Sequence, residues 1–110
     1  KIDVMRISQV VTNLLTNAMK YGERKPIRVK VFGEKDNGII VVQDQGLGIP
    51  LEKQDRIFER FERASDDPAV TGLGLGLYIS KQIIEAHGGR IFIESALGKG
   101  SSFIVKFPLS

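Results

Sequence analysis

Residues 71–79 read TGLGLGLYI, so Gly72, Gly74 and Gly76 alternate with Leu73, Leu75 and Leu77. Glycine weakens the interior of a helix or strand, but it tolerates positive φ and lets another group approach the main chain. The stretch therefore breaks regular structure and then runs straight into an apolar segment. Either it is a turn with a packing role, or something must come very near its backbone.

Composition limits the choice. The 110 residues are enough for one domain, 1–110, with a modest core. Cysteine is absent, which rules out a disulfide framework or thiolate metal site and fits a reducing compartment. No apolar run approaches a membrane span, and residues 1–9 do not read as a signal peptide. A cytoplasmic fragment without membrane contact is expected. The net charge of +3 suits an anionic ligand such as a nucleotide polyphosphate, and a solvated surface explains it equally well. Lys and Arg are scattered rather than clustered among aromatics, so nucleic acid is not an expected partner.

The periodicities alternate along the chain. Ile7, Val10, Val11, Leu14, Leu15 and Ala18 mark one face of a helix ending near Gly22. Residues 27–31 alternate like a half-buried strand, Asp36-Asn37-Gly38 signals a turn, and residues 39–42 read as a strand apolar on both faces. Residues 51–61 look helical behind Pro50, and residues 62–71 form a polar loop. Leu75, Ile79, Ile83 and Ala86 mark a second long helix closed by Gly88-Gly89. A strand pair, 90–94 and 102–107, flanks Leu97-Gly98-Lys99-Gly100. The economical architecture is an α+β two-layer sandwich, a mixed or antiparallel sheet with helices on one face. Residues 1–3 resemble a strand end, so an N-terminal strand is expected to be truncated.

Asn13, Asn17 and Lys20 fall at i, i+4 and i+7, a polar stripe beside the apolar face of the first helix. Asparagine is a poor interior helix former, although a solvated face explains two amides on their own. Downstream, Asp44 stands at a strand end before Gly46 and Gly48. Such a carboxylate can accept from an exocyclic amine while the glycines let a flat ring lie on the backbone; a glycine-rich Asx turn is the plainer alternative. Neither glycine cluster continues into the Gly-Lys-Ser/Thr of a Walker A loop, and the G-x-G-x-x-G spacing fails at Leu51 and Leu77. The signatures of serine/threonine protein kinases are absent too.

In order, the pieces resemble the sensor histidine kinases. Gln9-x-x-Thr12-Asn13-Leu14-Leu15-x-Asn17-Ala18-x-Lys20-Tyr21 is similar to their N box and Asp44-x-Gly46-x-Gly48-Ile49 to their G1 box. Ile57-Phe58-Glu59-Arg60-Phe61 resembles the F box, and Gly72-x-Gly74-Leu75-Gly76-Leu77 the G2 box. His87-Gly88-Gly89 and Gly98-x-Gly100-Ser101-x-Phe103 complete a resemblance that spans essentially the whole chain. It implies the GHKL (Bergerat) fold and the catalytic and ATP-binding domain of a bacterial two-component kinase, with ATP and Mg²⁺ as cofactors.

The resemblance also implies roles. Asp44 would read the adenine amine, with Gly46 and Gly48 beneath the ring and Ile49 closing the box. Asn17 would coordinate Mg²⁺, Asn13 would lie beside phosphate or metal, Lys20 would contact phosphate, and Tyr21 would pack near the sugar or phosphates. Arg63 would reach the γ-phosphate, Arg60 being second choice. Gly72, Leu73, Gly74, Leu75 and Gly76 would turn amides toward the triphosphate where an ATP lid, about residues 62–73, meets the second helix. Ser101 or Ser102 would support the pocket near Asp44. His87, the single histidine, reads as a helix cap rather than a phosphoacceptor.

The family's dimerisation domain, with its phosphoacceptor histidine, is absent from these residues. The expected activity is therefore phosphoryl donation to a histidine on a separate dimerisation domain, with a response regulator receiver domain downstream, and no autophosphorylation by the fragment alone. Two smaller departures are Leu73 at a position where small or hydroxyl residues are frequent, and Gln45-Gly46-Leu47 in place of Asn-Gly-Pro. The alternatives are a GHKL-type ATPase and a nucleotide-sensing module. In the ATPases the residue four before the metal-binding Asn is a Glu that activates water; here it is Asn13, which cannot take a proton.

Overall fold

The computed structural model describes residues 3–21, 25–46, 48–49, 51–54, 56–59, 76–95 and 98–109, and of Lys20 and Tyr21 the backbone alone. The order is α1 (Val4–Tyr21), β1 (Arg28–Glu34), β2 (Asn37–Asp44), α2 (Leu51–Gln54), α3 (Gly76–Ala86), β3 (Arg90–Ser95) and β4 (Ser101–Pro108).

Asp3 starts α1. Its Oδ1 accepts the Met5 and Arg6 N–H groups at 3.1 and 3.2 Å, satisfying donors that a helix start leaves unpaired. The expected stripe then turns inward, with Val10, Leu14 and Ala18 buried and Ile7, Val11 and Leu15 at its margin. At the far end of α3, Gly89 N–H reaches Ile84 C=O and Gly88 N–H reaches Glu85 C=O, with Gly88 at φ 78°. This is a Schellman close, as the Gly88-Gly89 pair foretells. His87 is the capping residue: Nδ1 lies 2.8 Å from Ile83 O, and Nε2 accepts the Asp3 N–H at 3.1 Å. One imidazole thereby ties the start of α1 to the end of α3.

The four strands run β1-β2-β4-β3, and every pairing among the described strands is antiparallel, one of the two arrangements expected. The reason is connectivity: both hairpins enforce antiparallel neighbours, and β4 returns between β2 and β3. Ile40, Val42, Ile91, Phe103, Val105 and Phe107 face α1 and α3, and this layer is the core. Among the described residues no helix is long and apolar enough to cross a membrane.

Four local expectations need correction. The first turn is centred on Lys35 and Asp36, both at positive φ, so of the expected Asp36-Asn37-Gly38 only Asp36 lies in it. That two-residue turn matches strand twist. Gly38 instead lies in β2 opposite Phe107, whose ring occupies the space a Cβ would need, at 2.8 Å. β1 is exposed along its whole length rather than half-buried, because it is the sheet edge; Val31 is 72% exposed although it pairs with buried Ile40. Helix α2 stops at Gln54 and gives way to turns that carry Ile57 and Phe58 inward, Phe58 packing edge-on against Phe103 at 6.1 Å. On α3 the buried residues are Leu77, Ser80, Ile83 and Ile84, while Ala86 is exposed.

Gly89 is the tightest joint between α3 and the sheet: a Cβ there would strike the Lys106 carbonyl and come within 2.9 Å of Phe107 Cα. Gly89→Ala should therefore destabilise the chain by about 3 kcal/mol. Gly98→Ala, with open space and only an unfavourable φ of 79° to overcome, should cost about 1 kcal/mol. Denaturant midpoints of the two variants check the ranking.

Candidate functional site

Side-chain alternation along β2 puts Asp44 on the face of Ile40 and Val42, toward the helices. Its carboxylate is buried, 2% exposed. Oδ1 accepts the Gly46 N–H at 2.9 Å, the Asx turn allowed by the sequence, and the Ser101 backbone amide also favours the charged form. Burial raises its pKa above the ordinary 3.8, and the Gly46 and Ser101 amides oppose that rise. No cationic side chain among the described residues pairs with it. A buried charge held only by neutral dipoles retains acceptor capacity for a donor from outside the fold.

The wall around Asp44 is built from two loops. Asp44 pairs with Ser101, and Gly100, at φ 79°, lies so close that a Cβ would strike the Asp44 carbonyl and reach Gln45 Cα at 2.9 Å. Ser101 is therefore the serine beside Asp44, 5% exposed. Ser102 is not: it pairs with Gln43 and faces the opposite side of the sheet, beside Lys30, Glu94 and Ile104. Alternation separates adjacent residues of a strand by one whole sheet thickness.

Two residues that the sequence did not single out complete this wall. Ser95 Oγ accepts the Ile49 N–H at 2.8 Å, donates to Gly100 C=O at 2.9 Å and lies 2.9 Å from Ser101 Oγ. Gln54 Nε2 donates to Ile49 C=O at 2.8 Å and to Ser95 C=O at 3.0 Å. Ser95 had a faint signal, a serine ending a strand opposite another serine. A glutamine in a short helix carries none.

On the helix layer, Asn13 and Asn17 are half-buried, consistent with a stripe beside the apolar face. Asn13 Nδ2 donates to Gly76 C=O at 3.4 Å and to the buried Ser80 Oγ at 3.3 Å, so it joins α1 to the first turn of α3. A Cβ on Gly76 would sit 3.9 Å from Asn13, an ordinary contact. The Asn17 side chain makes no hydrogen bond to any described residue. Gly46 is buried, and Gly48 has φ 76°. Arg60, Arg63, Gly72, Leu73, Gly74 and Leu75 lie outside the described residues, as does the whole of the expected lid and as do the side chains of Lys20 and Tyr21.

The Asp44 environment has a thermodynamic signature. Folding raises this carboxyl's proton affinity, so its ionisation costs stability as pH rises through the folded pKa, and the cost vanishes below 3.8. Relative to Asp44→Asn, the unmutated chain should gain stability as pH falls from neutral toward that value. Denaturation over a pH series measures this; a pH-independent difference contradicts the burial account.

Comparison with known proteins agrees with the geometry. The family described as histidine kinase-, DNA gyrase B-, and HSP90-like ATPase matches residues 2–110. The sensor protein kinase WalK of Staphylococcus saprophyticus is 44% identical over 115 positions, covering 98% of this chain and 18% of that protein. The chain thus spans about a fifth of the length of such curated relatives. The mycobacterial sensor histidine kinase MprB superposes with a TM-score of 0.82 at 30% identity, covering 97% of this chain and 72% of that one. Full-length ShkA in complex with AMPPNP gives the same TM-score, 0.82, at 30% identity, over 94% of this chain and 21% of that one. With motifs, fold and relatives in agreement along nearly its whole length, the chain belongs to the histidine kinase-, DNA gyrase B-, and HSP90-like ATPase family, as a catalytic and ATP-binding domain of the sensor histidine kinase kind.

Proposed function

We propose that this domain binds Mg·ATP and donates the γ-phosphoryl group to a histidine on a separate dimerisation domain, from which a response regulator receiver domain takes it. The observation that carries the nucleotide half of this reading is Asp44: a buried carboxylate at a strand end, with no cationic partner among the described residues and glycine backbone beside it. The exocyclic amine of adenine is a donor suited to it, whereas guanine presents a carbonyl oxygen at that position and would meet like charge. Gly46 and Gly48 lie beneath the ring, and Ser101 shapes the pocket rim.

The donor set fits a hard cation. Asn17 offers an amide oxygen on a half-buried helix face, without a described partner, and Mg²⁺ is held through few protein oxygens with phosphate and water as its other ligands. The metal supplies charge neutralisation at the phosphates when bound. Around it, Asn17 orients the triphosphate, and Asn13 holds the start of α3 in place by its bonds to Gly76 and Ser80. Lys20, Tyr21 and Arg63 are assigned to phosphate, sugar and γ-phosphate, with backbone from Gly72 to Gly76 facing the phosphates. In transfer, an imidazole nitrogen of the acceptor bonds to the γ-phosphorus as the bond to the bridging oxygen breaks. ADP leaves, and the imidazole proton passes to solvent.

Asn13 favours the donor reading over an ATPase. It cannot deprotonate water, whereas the acceptor imidazole is itself a competent nucleophile. Alone, the domain should bind ATP and turn it over very slowly. Mixed with the dimerisation domain of its own kinase, it should label histidine, giving an acid-labile, base-stable phosphate. Rapid turnover with no labelled histidine overturns the kinase assignment in favour of the ATPase.

Affinity should also depend on pH in one direction. Asp44 binds the amine as a carboxylate, so ATP affinity should fall as pH drops through a value above the ordinary 3.8. Asp44→Asn should weaken ATP by about 1–3 kcal/mol at neutral pH and flatten that profile. Calorimetry that finds ATP and GTP equally tight in the unmutated chain removes the adenine assignment.

A further inference from the structure

The segment that follows Asp44 is pinned at both ends. At its start, the Asp44 carboxylate takes the Gly46 N–H. At its end, both backbone groups of Ile49 are taken by side chains: its N–H by Ser95 Oγ and its C=O by Gln54 Nε2. The Gln54 amide orientation follows from its neighbours, because both Ile49 O and Ser95 O are carbonyl acceptors and only an NH₂ satisfies the two. Ser95 is saturated. Its single proton goes to Gly100 C=O, so the short contact with Ser101 Oγ must be donated by Ser101. The same two side chains thereby lock the segment after β2 to the β3–β4 turn, the two walls that flank Asp44.

We propose that Gln54 and Ser95 are positioning residues that hold residues 46, 48 and 49 in nucleotide-binding shape before the nucleotide arrives. This rests on the reading of Asp44 as the base contact. A glycine-bearing segment has many conformations open to it, and ordering it at the moment of binding lowers affinity. Fixing both backbone groups of Ile49 in advance removes that penalty. Gln54 touches neither the base nor the phosphates in this arrangement and acts only through Ile49 and Ser95.

The test uses the whole chain, Mg·ADP as probe, and two variants of nearly unchanged volume, Gln54→Met and Gln54→Glu. Near neutral pH both lose the donors to the two carbonyls and should bind about tenfold more weakly, with an unfolding midpoint close to that of the unmutated chain. Mild acid separates them. The introduced carboxyl regains one donor when protonated, so the Gln54→Glu deficit, taken relative to Gln54→Met, should shrink as pH falls. Titration of Asp44 is common to both variants and cancels in the ratio. Affinities equal to that of the unmutated chain, or a Gln54→Glu deficit that ignores pH, overturn the proposal. Amide exchange at Ile49 without nucleotide tests the clamp separately from the function. Faster exchange in Gln54→Met supports it even if the unmutated chain binds no adenine nucleotide, a result that would remove the base reading alone. Unchanged exchange overturns the clamp.

Discussion

A carboxylate buried at the end of β2 sets the terms for the rest of the molecule. Removing a charge from water is costly unless its oxygens are bonded, and Asp44 has only the amides of Gly46 and Ser101 among the described groups. Those two amides come from different loops, so the loops must meet at one point. Gly100 permits the meeting because it has no Cβ to strike the Asp44 carbonyl. Ser95 and Gln54 then hold the remaining backbone groups of that junction. The two amide dipoles offset the cost of burying the charge only in part, which leaves the carboxylate capacity to accept from a further donor.

The core serves this arrangement by fixing the end of β2. Val10, Leu14 and Ala18 from α1 and Leu77 and Ile84 from α3 cover the central strands. Two polar ties keep the helices in register, His87 between their outer ends and Asn13 to the first turn of α3. Asn13 is therefore structural as well as part of the expected site. A glutamate there would lose the amide donor to the Gly76 carbonyl. The other face of the sheet is freer: Phe32 and Phe92 are exposed there beside charged neighbours.

Phosphoryl transfer asks little covalent chemistry of a protein, and most of the rate comes from position and charge. This small domain is consistent with that demand. Its described residues place a buried carboxylate, a hydrogen-bonded wall beside it and an amide side chain on a helix, and the amide, Asn13, cannot take a proton. The relatives carry their domains within much longer chains, of which this one spans about a fifth.

Much of the fold was legible in the sequence because it follows local rules. The α1 stripe, the Gly88-Gly89 close, the strand character of β2, β3 and β4 and the position of Asp44 all depend on neighbours a few residues apart. The order of motifs carried the resemblance to the family that residues 2–110 match. Other features were decided by tertiary structure. Exposure of β1, entry of Ile57 and Phe58 into the core and the sheet face that receives Ser102 depend on which strand lies at the edge and how the hairpins are registered. The turn moved to Lys35-Asp36 because Gly38 is needed beneath the Phe107 ring. Gln54 stayed invisible for the same reason. Its two acceptors, Ile49 and Ser95, lie five and forty-one residues away, and a pattern read along the chain contains no distance between segments that only folding brings together.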